Sequence, residues 1–136
     1  MGLRIYIAGP WAHRQDMPAI AARLERAGHI ITHPWWEFDG DETNLSKEFL
    51  FECALKDVHG VLNADAMVVI NSAKSEGKAT EQGIAIAEEK PIIVVGKRGE
   101  HSNNIFHYLA LYRFVDTVED AVKELEGLTF DYTRNH

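Results

Sequence analysis

The sequence predicts a single-domain α/β protein of three layers around a mostly parallel five-stranded sheet. Three observations carry this. Short apolar runs (Leu3–Ala8, Ala66–Asn71, Pro91–Val95) alternate with segments of helical periodicity. The second and third runs are continuously apolar, as strands covered on both faces must be. Finally, 136 residues, 46% of them hydrophobic and 26% charged, suffice for one sizeable core and no more.

The elements follow in order. Leu3–Ala8 is the first strand, stopped by Gly9-Pro10. Asp16 is positioned to cap a helix over Met17–Ala27, with Pro18 in its first turn, Gly28 at its end and Ile20, Leu24 and Ala27 as its buried stripe. His29–His33 is a second strand closed by Pro34, and Trp35–Thr43 is a polar and aromatic loop. A long helix fills Leu45 to about Asn63, with Leu50, Ala54, Val58, Val61 and Leu62 along one side and Gly60 a point of weakness. The third strand, Ala66–Asn71, leads through Ser72–Lys78 into a helix over Ala79–Glu89, and Pro91–Val95 is the fourth strand. After a loop and a short helix at Ile105–Leu111, Arg113–Val115 is an edge strand. Thr117 and Asp120 form a capping pattern before a last helix, Val118–Glu126. This divides the chain into a domain over residues 1–127 and a tail over 128–136.

Composition narrows the function. The net charge is −7 and no Lys/Arg stripe occurs, which argues against a nucleic acid polymer as partner. No apolar run is long enough to span a bilayer, and the N-terminus lacks a signal-peptide pattern. One cysteine, Cys53, forms no intramolecular disulfide, so a cytoplasmic location is expected. Neither a P-loop nor a Gly-x-Gly-x-x-Gly fingerprint is present, and the histidines have no metal-ligand spacing with Cys53, so no metal is expected.

In a parallel sheet the loops after the strands share one end, and ligands bind there. That end collects Gly9, Pro10, His13, Arg14, Trp35, Trp36 and the segment Ser75-Glu76-Gly77-Lys78-Ala79-Thr80-Glu81. Glu81 falls in or near the first turn of a helix, where free N–H groups favour an ionised carboxylate. Such a carboxylate can capture an electron-poor sugar carbon. The same residue would equally serve as a helix cap. Asp57 is a second carboxylate able to reach the pocket as general acid or base, or to lie on a solvated helix face. Trp35 and Trp36 can stack on a base or cover the sheet edge. Asp65, just before a strand, reads as a turn residue.

Taken together, Ile5-Tyr6-Ile7-Ala8-Gly9-Pro10, Lys56-Asp57-Val58 through Ala64-Asp65, Ser75-x-Gly77-x-x-x-Glu81-x-Gly83-x-Ala85 and Lys90-Pro91-Ile92-Ile93 resemble the nucleoside 2-deoxyribosyltransferase family, including the 2′-deoxynucleoside 5′-monophosphate N-glycosidases. The resemblance implies a flavodoxin-like or Rossmann-like fold, Glu81 as nucleophile, Asp57 as the acid assisting base departure, and Tyr6 beside the nucleophile. It implies double displacement through a covalent sugar intermediate without a cofactor. It also implies a homo-oligomer whose sites are completed by a neighbour, with Ser102, Asn103 and Asn104 as donors. Ser75 stands where many transferases carry an aspartate for the sugar 5′-hydroxyl. A serine there, helped by Arg14 and Lys78, suits a 5′-phosphate, because a hydroxyl and backbone N–H groups accept an anion that a carboxylate would repel. The chain is thus expected to transfer deoxyribose between bases, or to hydrolyse the nucleotide. An NAD glycohydrolase and a non-catalytic nucleotide-sensing module are the other readings.

Overall fold

The computed structural model describes residues 2–38 and 45–135, with only the backbone for 130–135, so most of the far half of the expected aromatic loop lies outside the described residues. Five strands form one sheet in the order β2-β1-β3-β4-β5, every neighbouring pair parallel. They are β1 (Arg4–Ala8), β2 (Ile30–Ile31), β3 (Ala66–Ile70), β4 (Ile92–Val95) and β5 (Tyr112–Val115). The helices are α1 (Met17–Arg26), α2 (Lys47–Leu62), α3 (Glu76–Ala87) and α4 (Val118–Asn135). This is the flavodoxin-like order, with the ligand crevice expected where the winding reverses, between β1 and β3.

Side chains alternate across each strand, and this sorts the core into two layers. Ile5 and Ile7 of β1 join Met17, Leu24, Val68, Ile93 and Leu125 under α1 and α4. Tyr6 and Ala8 face the opposite way, with Val61, Met67, Val69 and Ala85 under α2 and α3. Each fully buried aliphatic side chain contributes about 1.5–3 kcal/mol. The alternation also has a chemical result: Tyr6, fully buried in the middle of β1, faces α2 and α3.

Several elements differ from expectation. The second strand shrinks from five residues to two; just beyond it Thr32 still gives its N–H to the Ile5 carbonyl (2.9 Å) while its Oγ1 donates to the Gly60 carbonyl (2.7 Å), tying this edge to α2. Asp16 makes no side-chain cap; a 3₁₀ helix over Trp11–Asp16 feeds directly into α1. Gly60 does not end α2. A Cβ there would lie 2.9 Å from both Tyr6 Cδ2 and His33 Cβ, so glycine lets the helix lie directly on the strand. Of the expected α2 stripe, Val61 is buried and Val58 half-buried, whereas Leu50, Ala54 and Leu62 are exposed. The end of α2 and the turn after it are held by Lys90 Nζ, which donates to Val61 O at 3.1 Å and Ala64 O at 2.6 Å. Thr117 Oγ1 accepts from Asp120 N–H as the capping pattern predicts, but α4 runs on to Asn135, with Leu128 packed on the core. Asp65 bonds the Arg4 N–H at 2.8 Å and its guanidinium at 3.2 Å, tying the entry of β3 to that of β1. No described helix is long and apolar enough to cross a membrane.

Candidate active site

Ser75 decides how α3 begins. Its Oγ accepts from Lys78 N–H (3.1 Å), so the helix starts at Glu76, three residues earlier than its periodicity suggests. Glu81 therefore lies in the second turn rather than the first, and the helix terminus does not keep it ionised. The opposite holds. Burial pushes its carboxyl up to about 8, with the Asp57 charge adding to the rise and the hydrogen bond from Tyr6 opposing it.

Three residues distant in sequence converge here. The Tyr6 hydroxyl donates to Glu81 Oε2. Burial first, then the charges of Glu81 and Asp57, drive the phenol far above its ordinary range, so it stays a donor. Asp57 lies one helical turn before Gly60, on the side of α2 that rests against β1. Its carboxyl is raised by burial and pulled back by His33, whose Nε2 lies 3.3 Å from Oδ1. The Asp57 charge favours the proton on Glu81, so the two carboxyls titrate as interacting groups.

Beside this group is a cleft of about 190 Å³, lined by Trp11, His33, Trp35, Phe38, Phe49 and Asp57 among others. Its aromatic walls brace one another: Trp11 meets Phe38 edge-on at 5.2 Å between centroids, and Phe38 meets Phe49 at 5.4 Å. Trp35 is fixed by Nε1–H donating to the Ile7 carbonyl at 2.6 Å. A Cβ on Gly9 would lie 3.0 Å from the Met17 side chain, so the glycine lets Met17 pack against the end of β1, and Pro10 then opens the 3₁₀ helix that carries Trp11.

The other expected residues fall in different places. Trp36 lines a different cleft, with Pro18, Ala21 and Ile31. Arg14 lies over the Trp11 ring at 4.3 Å. Lys78 is buried; its ammonium binds Asn71 Oδ1 and the Ala73 carbonyl, both at 2.7 Å, and ties the loop before α3 rather than projecting to solvent. Gly77 has only Ser75 Oγ near its missing Cβ, at 3.8 Å, which leaves open space at the start of α3. Ser102 and Asn104 line a separate cleft on another side of α3, together with Ser75, Lys78, Gln82 and His107; Asn104 caps a short 3₁₀ helix, and Asn103 is exposed. Sequence reasoning passed over Trp11, Phe49 and His33. An indole just after the first strand is the available signal for Trp11, whereas His33 gives none beyond its place two residues past β2. Among the described residues no cluster of ligands for a metal occurs.

The family profile described as nucleoside 2-deoxyribosyltransferase matches residues 5–130. The chain belongs to the nucleoside 2-deoxyribosyltransferase family. Comparison with curated proteins gives no match. Among solved structures, a 2-deoxyribosyltransferase from Bacillus psychrosaccharolyticus is similar with TM-score 0.67 and 20% identity, over 88% of this chain and 90% of that one. The CMP N-glycosidase BcmB of Clostridium botulinum is similar with TM-score 0.57 and 16% identity, over 90% and 97%. The solution structure of BlsM gives 0.60 and 19%, over 90% and 86%. At these identities the structural likeness establishes the shared fold; the family itself rests on the profile.

Proposed function

We propose that this deoxyribosyltransferase-family chain cleaves the N-glycosidic bond of a 2′-deoxynucleoside or its 5′-monophosphate and passes the deoxyribosyl group to a second base. The observation that carries the reading is the Tyr6–Glu81–Asp57 group set against an aromatic cleft of base size. The reacting arrangement has Asp57 protonated and Glu81 ionised. Glu81 forms a bond to C1′ through an oxocarbenium-like state as Asp57 gives its proton to the departing base. Positive charge growing on the sugar ring favours the Glu81 carboxylate, and the Tyr6 hydroxyl steadies the oxygen not in flight. The base enters the cleft that Trp11 and Trp35 help to wall. A second base entering the same cleft resolves the intermediate with Asp57 now acting as base; water in its place gives a nucleotide N-glycosidase.

Ser75 supports the monophosphate as substrate. Its oxygen is used in capping, but its O–H remains a donor at the start of α3, beside the open space at Gly77. A homo-oligomer accounts for the apolar side chains left in solvent on α2 (Leu50, Phe51, Leu55) and around Ile105, Tyr108 and Leu109. A neighbour's Ser102–Asn104 segment would then complete the site. Unpaired Cys53 fits a cytoplasmic setting.

The test is chromatographic. Each 2′-deoxynucleoside and each monophosphate is incubated with and without a second base, beside Glu81→Ala. A new nucleoside or nucleotide carrying the added base establishes the transferase. Free base alone, absent with Glu81→Ala, establishes the hydrolase. No base release from any substrate overturns the proposal.

A further inference from the structure

We propose that His33 is a positioning residue for the acid step: it engages Asp57 Oδ1, so that Oδ2 carries the proton to the departing base. The inference rests on the glycosyl-transfer reading above and adds to it a residue from outside the Tyr6–Glu81–Asp57 group.

The geometry is local and closed. His33 Nε2 lies 3.3 Å from Asp57 Oδ1, with both side chains lining the base cleft and only about a quarter to a third exposed (24% and 35%). His33 is held in place from below. Thr32, its chain neighbour, bonds the Gly60 carbonyl, and the Cβ position of Gly60 is filled by His33 Cβ and the Tyr6 ring. The imidazole is thus fixed to the same turn of α2 that carries Asp57. The other titratable groups facing the pair are Tyr6 from β1, Glu81 from α3, Lys56 and Cys53 from α2, and Glu37 from the loop after β2. Of these only Lys56 is cationic, and no ion pair joins it to Asp57 among the described residues.

The chemistry follows from the balance of the step. As the C1′–N bond breaks, its electron pair goes to the base, the Asp57 Oδ2 proton follows it, and the Glu81 oxygen–C1′ bond forms. Asp57 is left as a carboxylate in a site that burial makes unfavourable for one. A Nε2–H donor at Oδ1 strengthens as that charge develops, so its contribution is greater in the transition state than in the ground state. The same contact then holds Asp57 as the base that accepts a proton when the intermediate is resolved. A hydrogen bond to a charging carboxylate amounts to roughly ten- to a hundred-fold in rate.

The experiment uses the full chain with His33→Phe, which keeps volume and removes the donor, and His33→Gln, which restores one. Thermal melts first establish that each variant is folded. With a substrate the wild type cleaves, kcat is expected to fall about ten- to a hundred-fold for His33→Phe and to recover largely for His33→Gln. The pH profile gives the second readout. Loss of His33 lets Asp57 titrate at higher pH, so the limb that is not set by Glu81 moves upward for His33→Phe. Carbon-13 titration of the Asp57 carboxyl without substrate reads the same displacement independently of turnover. A folded His33→Phe protein with wild-type kcat and an unmoved Asp57 titration overturns the inference. So do equal losses in both variants with no displaced limb, which would mark a purely structural role. If the wild type releases no base at all, the functional reading fails instead, while the carboxyl titration still decides whether the pair is coupled.

Discussion

Gly60→Ala is expected to damage this protein although the position is helical. In an exposed helix interior alanine is better than glycine by about 1 kcal/mol. Here the new methyl carbon would sit 2.9 Å from Tyr6 Cδ2, 2.9 Å from His33 Cβ and 3.0 Å from Tyr6 Cε2. Ordinary carbon contacts are about 3.5–4.0 Å, so α2 or its neighbours must retreat by roughly 0.6 Å or more. Tyr6 gives little, being fully buried in the sheet and tied through its hydroxyl to Glu81. Overpacking of this kind costs about 1–3 kcal/mol, which exceeds the propensity gain and leaves a net loss of about 1 kcal/mol. With a urea slope of about 2 kcal/mol/M the midpoint falls by roughly 0.5 M. Asp57 moves with the helix, and base release is expected to drop at least about ten-fold, since sub-ångström displacement of a reacting group is costly. Gly83→Ala in α3 is the control. Its Cβ would meet no atom within 4 Å, so the same substitution should raise the midpoint. A Gly60→Ala protein that is both more stable and fully active would refute the close approach of α2 to Tyr6.

Two further outcomes follow from the titrations. Tyr6→Phe removes the hydrogen bond that favours ionised Glu81, so that carboxyl rises above about 8. The activity limb requiring ionised Glu81 then moves to higher pH, with kcat lower by about ten- to a hundred-fold; an unmoved limb would count against the contact. Glu81→Gln trades activity for stability at alkaline pH. Glu81 titrates at about 8 folded against 4.5 in the reference state, so the folded state binds the proton more tightly. Its stabilising effect is complete below 4.5 and is lost as pH rises through 8. Denaturant melts should find Glu81→Gln more stable than wild type by about 2–5 kcal/mol at pH 9 and little different at pH 5. Equal slopes of stability with pH would refute the buried placement.

The sequence also marks the limit of one-dimensional reading at the site. Glu81 and Ser75 were legible because a strand–loop–helix junction concentrates polar residues at one end of a parallel sheet. The state of Glu81 was not. A shift of three residues in the helix start, caused by the Ser75 cap, removes it from the terminal N–H groups and leaves burial to set its titration. Lys78 was readable as a free cation, yet two neutral acceptors within its own loop claim it. Trp35 and Trp36 are adjacent, and neighbouring positions in a turn point apart, so only one of them meets the cleft.

Strand identity, parallel pairing and the two-layer core were determined by the sequence alone, because apolar periodicity and continuous apolar strands allow little else. Tertiary structure alone decided the partnerships across long separations: Tyr6 with Glu81, His33 with Asp57, and α2 with β1 through Gly60. The reason is physical. Local pattern fixes which face of an element is apolar, whereas titration and hydrogen bonding depend on which polar atoms the packed faces enclose together.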